Sequence, residues 1–189
     1  LAKFIPEGLD IDLYEGKAYV GVIPFMMTNV RPRIAFSVPG ISTFPEINIR
    51  TYVTRDGKSG VLFLTLEAQS LITCSYAPRA YGLPYKYSLS KVSASEGEYS
   101  WATRRRDGSY ELVGECRWDQ QTDYAGPGTL EEFLFERYCL YTVHRGNLCI
   151  AYTQHEPWKF GSGSVQIKSN SLTKEFDLGI DDLYCPDMV

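Results

Sequence analysis

The segment Glu46-Ile47-Asn48-Ile49-Arg50-Thr51-Tyr52 carries the densest set of groups able to do chemistry. A strand sends successive side chains to opposite faces, so Ile47, Ile49 and Val53 share one face while Glu46, Asn48, Arg50 and Tyr52 share the other. That polar face is either the wet side of an antiparallel sheet or the wall of an internal cavity. In a cavity, a guanidinium would grip a carboxylate or phosphate, and a carboxyl raised in pKa by burial would serve as general acid or base. Arg50 cannot neutralise in a dry site, and Glu46 lies about 13 Å along the strand, too far for a direct pair. The partner of Arg50 is then a bound anion or a carboxylate from another strand, with Glu67, Glu115 and Glu136 as candidates.

Other reactive arrangements are poorer. No Gly-x-Ser-x-Gly elbow occurs, and neither His144 nor His155 adjoins a Ser or Cys in sequence, so hydrolase chemistry has no support. His155-Glu156-Pro157-Trp158 cannot form the helix that a His-Glu zinc motif requires. Gly161-Ser162-Gly163-Ser164 leads into a strand, without the aligned amides of a helix N-terminus, and reads as a turn. Alternation splits Arg104-Arg105-Arg106 between two faces, which suits a solvated, salt-paired surface better than a phosphate clamp. Five cysteines, Cys74, Cys116, Cys139, Cys149 and Cys185, are widely spaced with no Cys-x-x-Cys pair. They read as reduced thiols, three of them in apolar strand patterns, with neither metal nor cofactor implied, and reduced thiols place the chain in the cytoplasm.

The elements that must position these groups are mostly strands. The 189 residues, 44% hydrophobic, suit a single domain over 1–189. Sixteen Gly, ten Pro and fourteen Tyr favour strands and tight turns. No apolar run reaches the length of a membrane helix, and a net charge of −4 has the wrong sign for neutralising nucleic-acid phosphates. The chain opens at Leu1 with no targeting pattern, and its start reads as partway into a longer protein.

Turn signals leave nine extended runs near 17–25, 46–54, 60–66, 85–93, 98–106, 109–118, 139–144, 148–154 and 163–168, enough to close an antiparallel β-barrel. Pro32, Pro39, Gly40 and Pro45 make 26–45 a long loop, suited to a lid or rim. Asp107-Gly108 has the type I′ signature, and a two-residue loop pairs Arg104 with Glu111, Ser100 with Glu115 and Glu98 with Arg117. The opposite face, with Tyr99, Trp101, Leu112, Cys116 and, at its end, Arg105, is the core face. Two short helices interrupt the strands. One covers 69–80, with Pro78 ending or kinking its last turn. The other starts at the capping box Thr129-x-x-Glu132 and plugs or flanks the barrel.

Several segments, in order, resemble the uncharacterised bacterial YqjF-like family. They are Ile5-Pro6-Glu7-Gly8-Leu9-Asp10-Ile11, the run from Lys17 to Phe25, Phe44-Pro45-Glu46-x-Asn48-x-Arg50-Thr51-Tyr52-Val53, Tyr81-Gly82-Leu83-Pro84-Tyr85 and Glu136-Arg137-Tyr138-Cys139-Leu140-Tyr141. The likeness spans roughly 1–158, and the family's fuller members carry an additional stretch ahead of the position of Leu1. More remotely the chain is similar to acetoacetate decarboxylase. That family shares the Pro-Glu-x-Leu-x-Ile opening, an acidic residue ten positions before an Asn-Gly turn (Glu46 before Asp56-Gly57), and a Pro-Lys-Lys motif matched here by Pro84-Tyr85-Lys86. The resemblance implies a cone-shaped β-barrel with a central cavity and turns the Glu46, Asn48 and Arg50 face inward. The decarboxylase forms a Schiff base through an amine at the position held here by Tyr85, and a phenol cannot form an iminium. Lys86 is the neighbouring residue, and period 2 points it to the opposite face from Tyr85 and Tyr87.

Two functions remain open. In the first, the barrel binds a small carboxylate or carbonyl ligand, with or without catalysis. Glu46 then acts as acid or base, Tyr85 donates to a carbonyl oxygen, and Asn48, Arg50, Tyr52 and Tyr87 complete the pocket. In the second, the chain is a structural or protein-interaction domain whose polar face is a satisfied internal network. Neither involves nucleic acid or membrane, and a homo-oligomer is compatible with both.

Overall fold

Tight Xaa-Gly turns set much of the register in the computed structural model of the chain, which describes residues 1–30, 42–118 and 123–177. Asp56-Gly57 and Arg145-Gly146 both take positive φ at each central position, closing two-residue hairpins at Arg55↔Lys58 and His144↔Asn147. The strands are β1 (Asp10–Ile11), β2 (Val20–Met27), β3 (Phe44–Arg55), β4 (Lys58–Ala68), β5 (Tyr85–Ser95), β6 (Glu98–Arg105) and β7 (Glu111–Trp118). They continue with β8 (Asp123–Tyr124), β9 (Cys139–His144), β10 (Asn147–Tyr152), β11 (Lys159–Phe160) and β12 (Gly163–Asn170). The helices are α1 (Leu71–Tyr81) and α2 (Leu130–Phe135), with 3-10 turns at Ala2–Phe4 and Leu172–Phe176.

The chain is mainly β, as expected, but its large sheet is not a closed antiparallel barrel. Ten strands form one curled, mixed sheet with the path β1-β3-β4-β5-β6-β7-β12, with β2 on β3 and the β9-β10 hairpin on β4. β4 pairs in parallel with β5 at Leu66–Ala68 and, also in parallel, with β9 at Val61–Leu62. One edge of β4 thus serves two strands, and the ladder branches instead of closing. The cause is α1. Parallel neighbours need a crossover, usually a helix, and α1 carries the chain from the end of β4 to the start of β5.

α1 starts at Ser70, whose hydroxyl accepts from the Thr73 amide, and ends at Gly82 in the left-handed region. Pro78 does not terminate it, and the helix runs on to Tyr81. Its Leu71, Ile72 and Tyr76 face solvent. In α2 the Thr129 hydroxyl accepts from the Glu132 amide, as the capping box requires, while the Glu132 carboxylate reaches the Gly128 amide.

The β6–β7 register is the one expected, pair for pair from Glu98↔Arg117 to Arg104↔Glu111. Trp101 and Leu112 lie on its buried face. The turn is different: only Gly108 has positive φ, the Gly108 amide donates to the Arg105 carbonyl, and Asp107 accepts from the Ser109 amide. Arg105 and Tyr110 therefore flank a four-residue loop in place of the type I′ turn. Both loops place residues opposite each other at the same sum, so the register survives.

Ile47 and Ile49 are fully buried against Trp101, Leu112 and Cys116, with Leu172 and Phe176 of the C-terminal 3-10 turn. Their cover is chiefly other strands of the sheet and that turn. A second cluster joins Leu9, Val53, Leu62, Cys139 and Tyr141. Cys116 and Cys139 are buried thiols, and Cys74 and Cys149 are half-buried and free. Most of the expected 26–45 loop, Cys185 and the acidic tail beyond Asp177 lie outside the described residues; within that span, Met26 and Met27 continue β2 and β3 begins at Phe44. Among the described residues no helix is long and apolar enough to cross a membrane.

Candidate functional site

Unbroken pairing of β3 with β2 keeps its alternation regular through Arg50, although β4 carries an extra residue opposite the Ile49/Arg50 step. Glu46, Asn48, Arg50 and Tyr52 consequently share one face. Glu46 is 2% exposed, Asn48 4% and Tyr52 1%. Tyr85 reaches this face from two strands away: Asn48 pairs with Leu66, and Leu66 pairs with Tyr85. The Tyr85 hydroxyl donates to Glu46 Oε2 at 2.9 Å.

Burial pushes the Glu46 carboxyl up to about 7, against the opposing effect of the Tyr85 hydrogen bond. Tyr85 is held well above the usual phenol range, first by burial and then by the Glu46 charge. At neutral pH the pair is therefore a neutral phenol donating to a carboxyl poised near half-protonation. Cys74 of α1 lies close by, its Sγ 3.6 Å from the Ala68 carbonyl, and burial pushes its thiol up to about 11. A thiol so raised is no nucleophile at neutral pH.

Arg50 is half-buried beneath α2. Its Nη2 donates to the Leu134 carbonyl at 3.0 Å, and its Cζ lies 5.6 Å from the Tyr52 ring centroid and 6.0 Å from that of Phe135. Among the described residues no carboxylate comes within 4.0 Å of it. The three expected candidates are engaged elsewhere: Glu67 with Arg105, Glu115 with Lys168, and Glu136 with Tyr138 and the Trp158 amide. Arg50 Nε is buried with no acceptor, and the neighbouring Asn48 Oδ1 is buried with no donor. Unpaired buried polar atoms cost roughly 1–3 kcal/mol each. The face thus offers a donor, an acceptor and a cation with no carboxylate partner among the described residues.

Tyr52 packs on Phe133 of α2 at 5.3 Å between ring centroids. Tyr87 joins the same face by register, opposite Ala68, but lines a separate cleft with Lys86, Arg105, Arg106 and Asp107. Glu46, Tyr85, Asn48, Arg50 and Tyr52 form one neighbourhood; Tyr87 stands at its margin. Lys86 points the other way, as period 2 requires, and its Nζ lies 2.6 Å from Glu175 Oε1.

That opposite face holds a cluster that the surface assignment of the arginine run missed. Arg105 is 8% exposed and Glu67 is fully buried; Arg105 Nε lies 3.1 Å from each Glu67 oxygen and Nη2 2.6 Å from Oε1. The signal was present in the hairpin register, which places Arg105 on the core face. A charge at such a position demands a buried counter-charge. Among the described residues no group of His, Cys, Asp and Glu is arranged to hold a metal ion.

Comparison with known proteins bears on both the fold and the family. The profile of DUF2071, described as an uncharacterized conserved protein, matches residues 1–187. The uncharacterized protein YqjF of Bacillus subtilis (strain 168) is 33% identical over 174 residues, covering 92% of this chain and 72% of its own length. Among solved structures, the enduracididine biosynthesis enzyme MppR, complexed with the condensation product of pyruvate and imidazole 4-carboxaldehyde, superposes with a TM-score of 0.68 at 14% identity. That likeness covers 93% of this chain and 71% of that one. Acetoacetate decarboxylase from Legionella pneumophila superposes with a TM-score of 0.58 at 11% identity, over 96% and 71%.

Proposed function

Because the chain belongs to the DUF2071 family of uncharacterized conserved proteins and has the acetoacetate decarboxylase-like fold, we propose that it binds a small carboxylate or carbonyl compound on the Glu46 face. The single observation that carries this is Arg50, a half-buried cation with no carboxylate partner among the described residues and with Nε lacking an acceptor. A ligand carboxylate would supply that acceptor and the missing charge. Asn48 Oδ1 would accept from a hydroxyl or amine of the same ligand. Glu46, near half-protonation at neutral pH, would give or take a proton, and Tyr85 would hold it or donate to a carbonyl oxygen.

Any chemistry there would proceed without an imine. Tyr85 takes the position of the decarboxylase amine in the Pro-Lys-Lys match, and Lys86 lies on the other face, beside Glu175. This supports a binding protein, or an enzyme using acid–base chemistry alone, and the reduced thiols of Cys74, Cys116, Cys139 and Cys149 fit a cytoplasmic setting. The alternative is a structural or interaction domain.

The test is a thermal-shift series against small carboxylates and keto acids, followed by a structure with the best of them. Stabilisation with density between Glu46, Arg50 and Tyr85 is the expected result. No stabilisation by any member, at concentrations up to tens of millimolar, would favour the structural domain.

A further inference from the structure

Four charged side chains meet on the face of the sheet opposite Glu46: Glu67 of β4, Lys86 of β5, Arg105 of β6 and Glu175 of the C-terminal 3-10 turn. Glu67 is saturated. Besides the Arg105 contacts it accepts from the Thr65 hydroxyl at 2.7 Å and from the Ser88 hydroxyl. One buried carboxylate already balances Arg105, which also lies over the Tyr110 ring, 4.7 Å from its centroid. Glu175 is therefore a second carboxylate, beyond what Arg105 needs for neutrality. It is held in a different manner: Arg105 Nη2 lies 2.5 Å from Oε2, and Lys86 Nζ lies 2.6 Å from Oε1.

Two cations each facing one oxygen make a fitted receptor for a planar carboxylate. The receptor is half-open. The Arg105 side chain is 9% exposed, but Glu175 keeps 20% and Lys86 40%. Lys86, Tyr87, Arg105, Arg106 and Asp107 line a cleft of about 670 Å³ beside it, within the size range of small-molecule sites. Leu172 and Phe176 anchor the backbone of the turn in the core at 1% and 6% exposure, so only side-chain rotation is needed to withdraw the Glu175 carboxylate. Once it is withdrawn, Glu67 cancels Arg105 and Asp107 offsets Arg106 in the cleft lining, while Lys86 is left unopposed, so the cleft calls for an anion.

We propose that Lys86 and Arg105 form a seat for a small carboxylate, extending into this cleft, with Glu175 as its exchangeable internal occupant. The site is separate from the Glu46 face and takes a different set of groups. Glu175 is tethered, so it competes at an effective concentration on the order of millimolar, and the parent protein binds an external carboxylate weakly for that reason. Removing the tethered carboxylate should strengthen binding; removing the lysine should abolish it.

Calorimetric titration with succinate of the parent, Glu175→Ala and the double variant Glu175→Ala/Lys86→Met tests this. Arg50 is present in all three, so any response at the other face cancels in the comparison. Glu175→Ala should bind succinate at least about tenfold more tightly than the parent, and the double variant should lose that gain. Equal affinity of parent and Glu175→Ala, or an undiminished gain in the double variant, would overturn the proposal. If Glu175→Ala fails to fold, Glu175→Gln replaces it with the same expectation. Failure of both to fold also overturns the proposal, because an exchangeable occupant cannot be required for folding.

Discussion

Tyr85 and Glu46 sit on strands that never pair with each other, yet the Tyr85 hydroxyl lies 2.9 Å from Glu46 Oε2 across the intervening β4. The contact follows from the crossover. α1 returns the chain so that β5 lies parallel to β4, with Tyr85 beside Leu66 and one residue out of step with Lys86. The adjacent lysine is thereby sent to Glu175, and the phenol is left as the only hydrogen-bond partner the Glu46 carboxyl has among the described side chains.

The raised Glu46 pKa makes stability depend on pH. The folded carboxyl, at about 7, binds a proton more tightly than the unfolded one at its ordinary value of 4.5. Between these values the folded state holds more protons, so stability is fully present below about 4.5 and falls as pH rises through 7. Glu46→Gln should abolish that slope, and at pH 8 should exceed the parent by up to roughly 3 kcal/mol. Denaturant unfolding of both proteins from pH 4.5 to 8 measures it. Parallel pH profiles would show that Glu46 titrates normally.

Incubation with acetoacetate or pyruvate and borohydride, read by intact mass, should leave no substrate-dependent adduct. Lys86 is ion-paired with Glu175 and lies on the face away from Glu46, where no desolvated amine is presented. An adduct mapped to Lys86 would mean that the lysine serves as nucleophile despite its pairing.

How much of this was legible depended on whether a residue's partners were local. The Glu98↔Arg117 to Arg104↔Glu111 register could be read because a turn fixes it, and alternation placed Glu46, Asn48 and Arg50 together because β3 pairs with β2 without a break. The parallel placement of β5 and β9 on β4 could not be counted from turns, since α1 and a long span of chain intervene. The hairpin register puts Arg105 on the core face, but alternation within the arginine run does not supply its counter-charge. Its partners, Glu67 and Glu175, lie 38 and 70 residues away in sequence, and only tertiary contact reveals them.

Arg105→Met should cost roughly 3–5 kcal/mol, because it strands the fully buried Glu67 charge. Adding Glu67→Gln should return most of that loss, since the charge is then gone and the Thr65 and Ser88 hydroxyls can still bond an amide. Urea unfolding of the two single variants and the double gives the coupling. Additive losses would mean that Glu67 and Arg105 contribute independently in spite of their contact.

Arg50→Met probes the other face. Methionine keeps an apolar stem of about the length of the arginine chain up to Nε and gives up the guanidinium over Tyr52 and Phe135 and its bond to the Leu134 carbonyl, so the fold should persist with a modest loss of stability. What should vanish is the response to anions. A ligand at ten times its Kd stabilises the parent by about 1.4 kcal/mol, which for a chain of this size is roughly 3–6 °C in Tm. The variant lacks the guanidinium that has no carboxylate partner among the described residues, whereas Arg137, over the same Tyr52 ring, is paired with Asp12, so it should lose the shift given by the carboxylate that stabilises the parent. Glu46→Gln keeps Arg50 and should keep the shift at pH 8, which separates loss of the anion contact from general disturbance of the face. Equal shifts in parent and Arg50→Met would mean that the anion binds elsewhere and that the unpaired guanidinium is tolerated by the fold alone.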